Sequence, residues 1–259
     1  MPSGSQTFSA WGSTLIFIIA VFGTSGKSIL MRIDLHCHTE ASGDCLTPIE
    51  LFPDRLREQQ IQVQAITDHN EVWGAMKLRD MIQAATETAE LPRPPLTIIV
   101  GEEVTSLEGE IIGLFLRKKI PAGLPAIEVV ARIKEQGGLV LLPHGFDPLK
   151  NGRLRPAALA QIANDIDIVE TFNARISFQR YNRRAAAWAA QHHVVTSAGT
   201  DAHRLADVGT AWAELPDQPI DGPEDLLKAL AEGEIMGQWT HPVIAFAKKM
   251  FEQAKQRLS

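Results

Sequence analysis

His36 and His38 stand one residue apart in IDLHCHT at 33–39. Residues two apart on a strand point to one face. Both imidazoles can therefore reach one cation, and imidazole nitrogen is a good ligand for zinc, manganese or iron. Cys37 between them faces the other way and is not counted as a ligand. One such pair is weak evidence, since most histidines are surface or hydrogen-bonded residues. The pattern recurs, however. VQAITDHN ends in Asp68 and His69, LTIIVGEE in Glu102 and Glu103, LVLLPHGFD brings His144, IDIVETFNAR brings Glu170 and Asn173, and VVTSAGTDAH brings Asp201 and His203. Each alone reads as a turn or cap residue, and Asp68 and Asp201 fit helix N-caps. Their shared position after apolar runs points to a single metal site.

The elements that must carry these residues are short β-rich runs alternating with helical patterns. Strands are expected at 32–36, 63–67, 96–100, 110–116, 139–143, 166–171 and 194–199. Amphipathic stretches lie at about 48–60, 71–89, 125–136 and 177–191. Strand–helix alternation implies parallel βαβ units. Right-handed crossovers wind a sheet one way round, so a barrel is the natural closure and a doubly wound open sheet is the alternative. In such a barrel all strands end at one face, where active sites sit. Residues distant in sequence then converge.

The chain has 259 residues, of which 45% are hydrophobic and 22% charged, an ordinary globular composition. A net charge of −6 speaks against a general affinity for nucleic acid or membrane surfaces. Phosphate affinity must then come from metals or a local patch. Two cysteines do not make a disulfide framework at this length, which fits reduced thiols and a cytoplasmic protein. The run TLIFIIAVF at 14–22 is short for a bilayer span and no Lys or Arg precedes it. Residues 1–30 are read as an extension, disordered or from a start assigned too early. Residues 31–259 are read as a single domain, with two helices at about 221–257 packed on it.

IDLHCHT, ITDHN, GEEVTS with GEIIGLFL, PHGFDP, FNAR and GTDAH together resemble the polymerase and histidinol phosphatase (PHP) family in order and spacing, from Met31 to about Leu215. The resemblance implies an α/β fold, a distorted TIM-like (β/α)7 barrel, and two or three divalent ions of manganese, zinc or iron. It implies hydrolysis of a phosphate ester, as by a phosphatase or a 5'-3' exonuclease-like enzyme. Carried over by motif, the ligands are His36, His38, His69 with Asp68 beside it, a bridging Glu103, His144, Asp201 and His203. Asp44 in SGDC takes the place of a loop aspartate. Relatives often have a further histidine between His144 and the closing D-x-H. This chain has none before His192 and His193, which precede a strand and belong to the opposite face. Either Glu170 or Asn173 takes that place, or that position holds its ion more weakly. His203 or Asp201 is the expected proton donor to the leaving alkoxide.

Substrate charge calls for local cations. Lys150, Arg153 and Arg155 lie in KNGRLRP after His144, and Arg175 follows Asn173. Arginine suits bidentate phosphate recognition. The expected partner is a small phosphorylated substrate or a nucleic-acid end, with no stable membrane partner. Two other readings compete. An amidohydrolase barrel also opens on H-x-H but commonly bridges its ions with a carboxylated lysine, and Lys118 and Lys119 fall past a strand end. A regulatory PHP barrel binds metal without turnover.

Overall fold

The computed structural model describes residues 30–88 and 96–239. The 14–22 run, nearly all of the N-terminal extension, His241 and the second C-terminal helix lie outside these residues.

All seven expected strands are present: β1 (Leu30–Asp34), β2 (Val63–Ile66), β3 (Thr97–Thr105), β4 (Glu110–Leu114), β5 (Leu139–Leu142), β6 (Ile168–Asn173) and β7 (Val195–Gly199). The helices are α1 (Phe52–Glu58), α2 (Trp73–Glu87), α3 (Ala126–Glu135), α4 (Pro156–Ile162), α5 (Gln179–His192) and α6 (Pro223–Ala231). Two further strands, β8 (Ala211–Pro216) and β9 (Glu234–Gly237), were not expected. The sheet runs β7-β6-β5-β4-β3-β2-β1-β8-β9.

The parallel expectation fails at β4 among the seven expected strands, and the added β8 and β9 also pair antiparallel, β8 with β1 and β9 with β8. β4 is antiparallel to both β3 and β5. Thr105 pairs with Glu110 across the connection Ser106–Gly109, which is long enough for a hairpin but not for a crossover. β3 is also longer than expected and runs through Thr105, so Glu102 and Glu103 lie within it. Alternation then separates them: Glu103 turns inward, while Glu102 turns outward and accepts the Ile120 amide at 2.8 Å.

The sheet divides two apolar layers. Ala65, Ile99, Ile112, Leu141 and Ile168 belong to an inner cluster, closed by Leu226, Ala229 and Leu230 of α6. Their strand neighbours Ile66, Ile98, Ile111, Val140 and Val169 belong to an outer cluster with the α1, α2, α3 and α5 faces. Each fully buried aliphatic side chain contributes roughly 1.5–3 kcal/mol, so the two layers fix where the strand ends stand. Cys37 lies in the outer cluster, away from the histidines on either side.

The barrel is nearly closed, and its final seam is at the strand-end face. The chain beyond β1 bonds to the chain around and beyond β7 through Leu35 N to Ala198 O (3.2 Å), Asp201 N to His36 O (2.8 Å) and His38 N to Ala202 O (3.0 Å). Buried Asp34 clasps the same seam. It accepts the His36 amide at 3.1 Å, the Thr200 amide at 3.1 Å and the Thr200 hydroxyl at 2.7 Å.

Candidate metal centre

Four donor atoms face one another at the seam. His36 Nε2 and His38 Nε2 are 3.1 Å apart, and both face Glu103 Oε2, at 3.2 and 3.3 Å. Asp201 Oδ1 lies 3.8 Å from the first and 3.6 Å from the second. Metal–ligand bonds of about 2.0–2.2 Å place neighbouring donors roughly 3.0–3.8 Å apart. His36, His38 and Asp201 thus lie close enough together to share a divalent ion, and Glu103 stands at ligand spacing from both histidines. Their charge suits one as well, with two imidazoles and two carboxylates.

Each imidazole is aimed by a partner on its other nitrogen. His36 Nδ1 sits 2.9 Å from Glu170 Oε1, which keeps its proton there and leaves Nε2 for an ion. His38 Nδ1 lies 3.2 Å from Ser42 Oγ, and the same hydroxyl accepts the His69 amide at 2.9 Å. Glu170 Oε2 also accepts the His144 amide at 2.7 Å. Two residues hold left-handed backbone at the site, His144 at φ 25° and Asp201 at φ 51°. Such strain costs of order 1–3 kcal/mol and recurs where a side chain must be aimed.

Further donors extend the cluster on both sides. His144 Nε2 is 3.0 Å from Glu103 Oε1, and His69 Nδ1 is 3.3 Å from Glu103 Oε2, so Glu103 bridges. On the open side, His203 Nε2 lies 2.9 Å and His69 Nε2 3.7 Å from Asp44 Oδ2. His38 stacks between them, with ring centroids 4.5 Å from His69 and 4.2 Å from His203.

Three expected ligands stand elsewhere. Asp68 gives both oxygens to Thr39, accepting its amide at 2.6 Å and its hydroxyl at 2.8 Å. It is no N-cap either, since α2 starts after Val72. Glu170 lies behind His36 and not beside it. Asn173 directs its amide nitrogen to Glu170 Oε2 (3.0 Å) and Asp201 Oδ2 (3.3 Å), while its oxygen accepts the Arg175 amide. Glu110, at the start of β4, was missed. Its carboxylate comes within 3.8 Å of His69 Nδ1 and 3.6 Å of His144 Nε2.

Electrostatics follow from burial among these charges. Burial alone would push the His36 imidazole down, but Glu103, Glu170 and Asp201 outweigh it and hold it well above its ordinary value. Burial would raise the Asp201 carboxyl, yet Lys150, Arg175 and His36 hold it well below the usual range. Burial, then His38 and Arg175, bring His203 down to about 4. Burial, then the Glu103 charge, push Glu110 up to about 7. At neutral pH His203 and Asp201 are both unprotonated for these reasons. That suits ligation.

The expected substrate cations divide into two places. Lys150 Nζ pairs with Asp201 Oδ2, and Arg175 reaches Asp201 O (3.0 Å), Asp201 Oδ1 (3.2 Å) and His203 Nδ1. Arg153 and Arg155 instead line a cleft of about 280 Å³ with Asn151, Glu108 and Glu110. Lys119 pairs with Glu71, and no lysine stands in the bridging place that Glu103 occupies. His192 stacks on Trp188 at the far end of α5. No described helix is long and apolar enough to cross a membrane.

A family model described as the PHP domain matches residues 34–203, and a PHP-associated model matches residues 179–235. An uncharacterized protein of Methanocaldococcus jannaschii is 33% identical over 202 residues, covering 76% of this chain and 75% of the relative. Among solved structures, a two-domain protein of Bacteroides vulgatus, described as containing a predicted PHP-like metal-dependent phosphoesterase, aligns with a TM-score of 0.62 at 15% identity over 81% of this chain. This chain spans 65% of that protein, less than two thirds of its length. PsfC from Pseudomonas syringae aligns with a TM-score of 0.61 at 16% identity, covering 87% of this chain and 98% of PsfC.

Proposed function

The chain belongs to the PHP family, and from that footing we propose that it is a metal-dependent phosphoesterase acting on a phosphate monoester or on the phosphate of a nucleotide or oligonucleotide end. One observation carries the reading. His36 and His38 stand at ligand spacing from both Glu103 and Asp201, as donors to one ion would, and Lys150 and Arg175 stand on the same Asp201 carboxylate. Divalent ions held there supply Lewis acidity toward a phosphoryl oxygen and a nucleophile at neutral pH.

The protein's own groups do the rest. Glu103, buried on β3, joins the donor sets through its two oxygens. Asp44 is 56% exposed and Arg175 44% exposed, while His36 and His38 are fully buried. Substrate therefore enters from the Asp44 and Arg175 side. A phosphate arriving beside Asp201 meets the ammonium of Lys150 and the guanidinium of Arg175, which orient it by charge-assisted hydrogen bonds. A barrel without a large inserted domain favours small substrates or strand ends.

The test is hydrolysis of a panel running from histidinol phosphate through mononucleotides and bisphosphates to short oligonucleotides. It is run with manganese or zinc, with a chelator, and with a His36→Ala/His38→Ala variant. Metal-dependent turnover lost in the variant supports the proposal. No turnover on any member, with ions demonstrably bound, overturns it in favour of a regulatory barrel.

A further inference from the structure

We propose that Asp147 is a positioning residue for the substrate cations, tying the loop after β5 to the loop after β6 so that Lys150 and Arg175 meet on Asp201. This rests on the reading of Lys150 and Arg175 as phosphate-binding groups, and adds a residue to which that reading gave no part.

The two loops start as neighbours. β5 and β6 pair in parallel, Leu141 with Ile168 and Leu142 with Val169. Just past β5, the His144 amide donates to Glu170 Oε2 of β6 at 2.7 Å. Farther out the β5–β6 ladder has ended, yet the loops must still agree. Lys150 Nζ stands on Asp201 Oδ2, while Arg175 reaches Asp201 Oδ1 at 3.2 Å and Asp201 O at 3.0 Å. Two cations from two loops reach one carboxylate only if the loops keep a fixed separation.

Asp147 supplies that tie. It is fully buried, and its two oxygens are divided between the loops. Oδ1 accepts the Leu149 amide at 2.9 Å, and Oδ2 accepts the Ser177 amide at 2.8 Å. Leu149 immediately precedes Lys150, and Ser177 follows Arg175 by two positions. The Asp147 main chain turns the same loop, since its amide donates to His144 O at 3.1 Å and its carbonyl accepts the Lys150 amide at 3.2 Å. Phe146, one residue earlier, packs on Trp188 of α5 with ring centroids 6.0 Å apart. The carboxylate is therefore offered to the second loop from an anchored place. A carboxylate taken out of water is costly unless hydrogen-bonded, and the two amides it bonds flank the two cations.

Loops already held need no ordering when phosphate arrives, and such pre-organisation is read as affinity. Loosening them raises KM and leaves kcat. A carboxylate that served folding alone would change neither.

The experiment compares full-length, manganese-loaded wild type, Asp147→Asn and Asp147→Ala. Asparagine keeps the size of aspartate but offers one acceptor oxygen where aspartate offers two, so one of the amides faces an NH2 group. Kinetics are read on the best ester of the panel, inorganic phosphate affinity by calorimetry, manganese content by elemental analysis and folding by denaturant. In Asp147→Asn, KM and the phosphate dissociation constant are expected to rise about tenfold, as for a lost charge-assisted contact, with kcat and manganese content unchanged. In a Lys150→Ala/Arg175→Ala background the same change is expected to do nothing further, because it acts through those two groups. Values equal to wild type in a folded Asp147→Asn overturn the assignment. So does full additivity in the doubly substituted background. Lost manganese also overturns it, since Asp147 would then act through His144. If neither variant folds, the carboxylate is a folding element and the assignment falls. Wild type that neither hydrolyses an ester nor binds phosphate instead overturns the reading of Lys150 and Arg175, and this one with it.

Discussion

Asp68 and Thr39 hold each other at two points, the Asp68 oxygens lying 2.6 Å from the Thr39 amide and 2.8 Å from its hydroxyl. The pair fixes the loop that carries Ser42, whose hydroxyl touches both His38 Nδ1 and the His69 amide. Asp68→Ala leaves two donors unsatisfied in a buried place, at a cost of about 2–4 kcal/mol. Because the loop aims two histidines, metal affinity falls about 10–100-fold. Denaturant unfolding and metal titration of the variant check both. Unchanged affinity in a destabilised variant would show that Thr39 is held for folding alone.

Glu170 is aimed by the lack of a side chain opposite it. A Cβ on Gly199 would lie 2.0 Å from Glu170 Oε1 and 2.5 Å from His36 Cβ. Gly199→Ala is expected to lose about 1–3 kcal/mol by overpacking and to weaken binding at the His36 position more than at the others. Thermal unfolding and a metal count check this. A variant that fills every position normally would mean that the strand end yields without moving His36.

Protons and ions compete at His36 and His38, both held above the ordinary imidazole value by carboxylates that outweigh burial. Each ion must displace a proton from any imidazolium it meets. Affinity is therefore expected to fall steeply as pH drops, with protons released on binding at neutral pH. Calorimetric titration in two buffers of different ionisation enthalpy reads the proton count. Equal heats in the two buffers would show that no proton leaves.

Glu102 imposes its own pH dependence on stability. Burial raises its carboxyl from 4.5 to about 7, although the Ile120 amide favours the ionised form. The folded chain binds this proton more tightly than the unfolded chain. Stability from this group is whole below the unfolded value near 4.5 and is lost as pH rises to about 7. Glu102→Gln is expected to remove that decline. Unfolding free energies of the two chains at pH 5 and pH 8, in chelator, make the comparison. Parallel pH profiles would sink the assignment.

Lys150 and Arg175 share Asp201. Removing either to Ala is expected to raise KM for a phosphate ester and to lower kcat/KM about 10–100-fold, from the loss of a charge-assisted contact. Steady-state kinetics on the best substrate of the panel decide. A fall in kcat alone would move these residues from substrate binding to the ordering of Asp201.

Much of this was legible. Six of the seven expected strands are apolar runs followed by polar residues, and His36, His38, Glu103, His144, Asp201 and His203 were found that way; β4 carries its site residue, Glu110, at its start. Asp68 beside His69 held a usable signal: neighbours on an extended chain cannot both face inward. Glu110 gave none. It follows a turn, so its charge reads as a strand edge, and only the Thr105–Glu110 register turns it to the inner face. The pairing of β8 depends on β1 at the other end of the described chain, and β9, which pairs with β8 across α6, is largely exposed.

The seam between the ends of the barrel sets an order of events. Cys37 and Ala202 pair across it although they are 165 positions apart, and the first and last ligand motifs flank that bridge. Contacts of such separation are the slow ones to form. The pocket at His36 and Asp201 therefore does not exist in any partly folded chain whose β1 and β7 have yet to meet. An ion captured by all four donors reports that the whole ring has closed, which makes tight metal uptake a late checkpoint of folding.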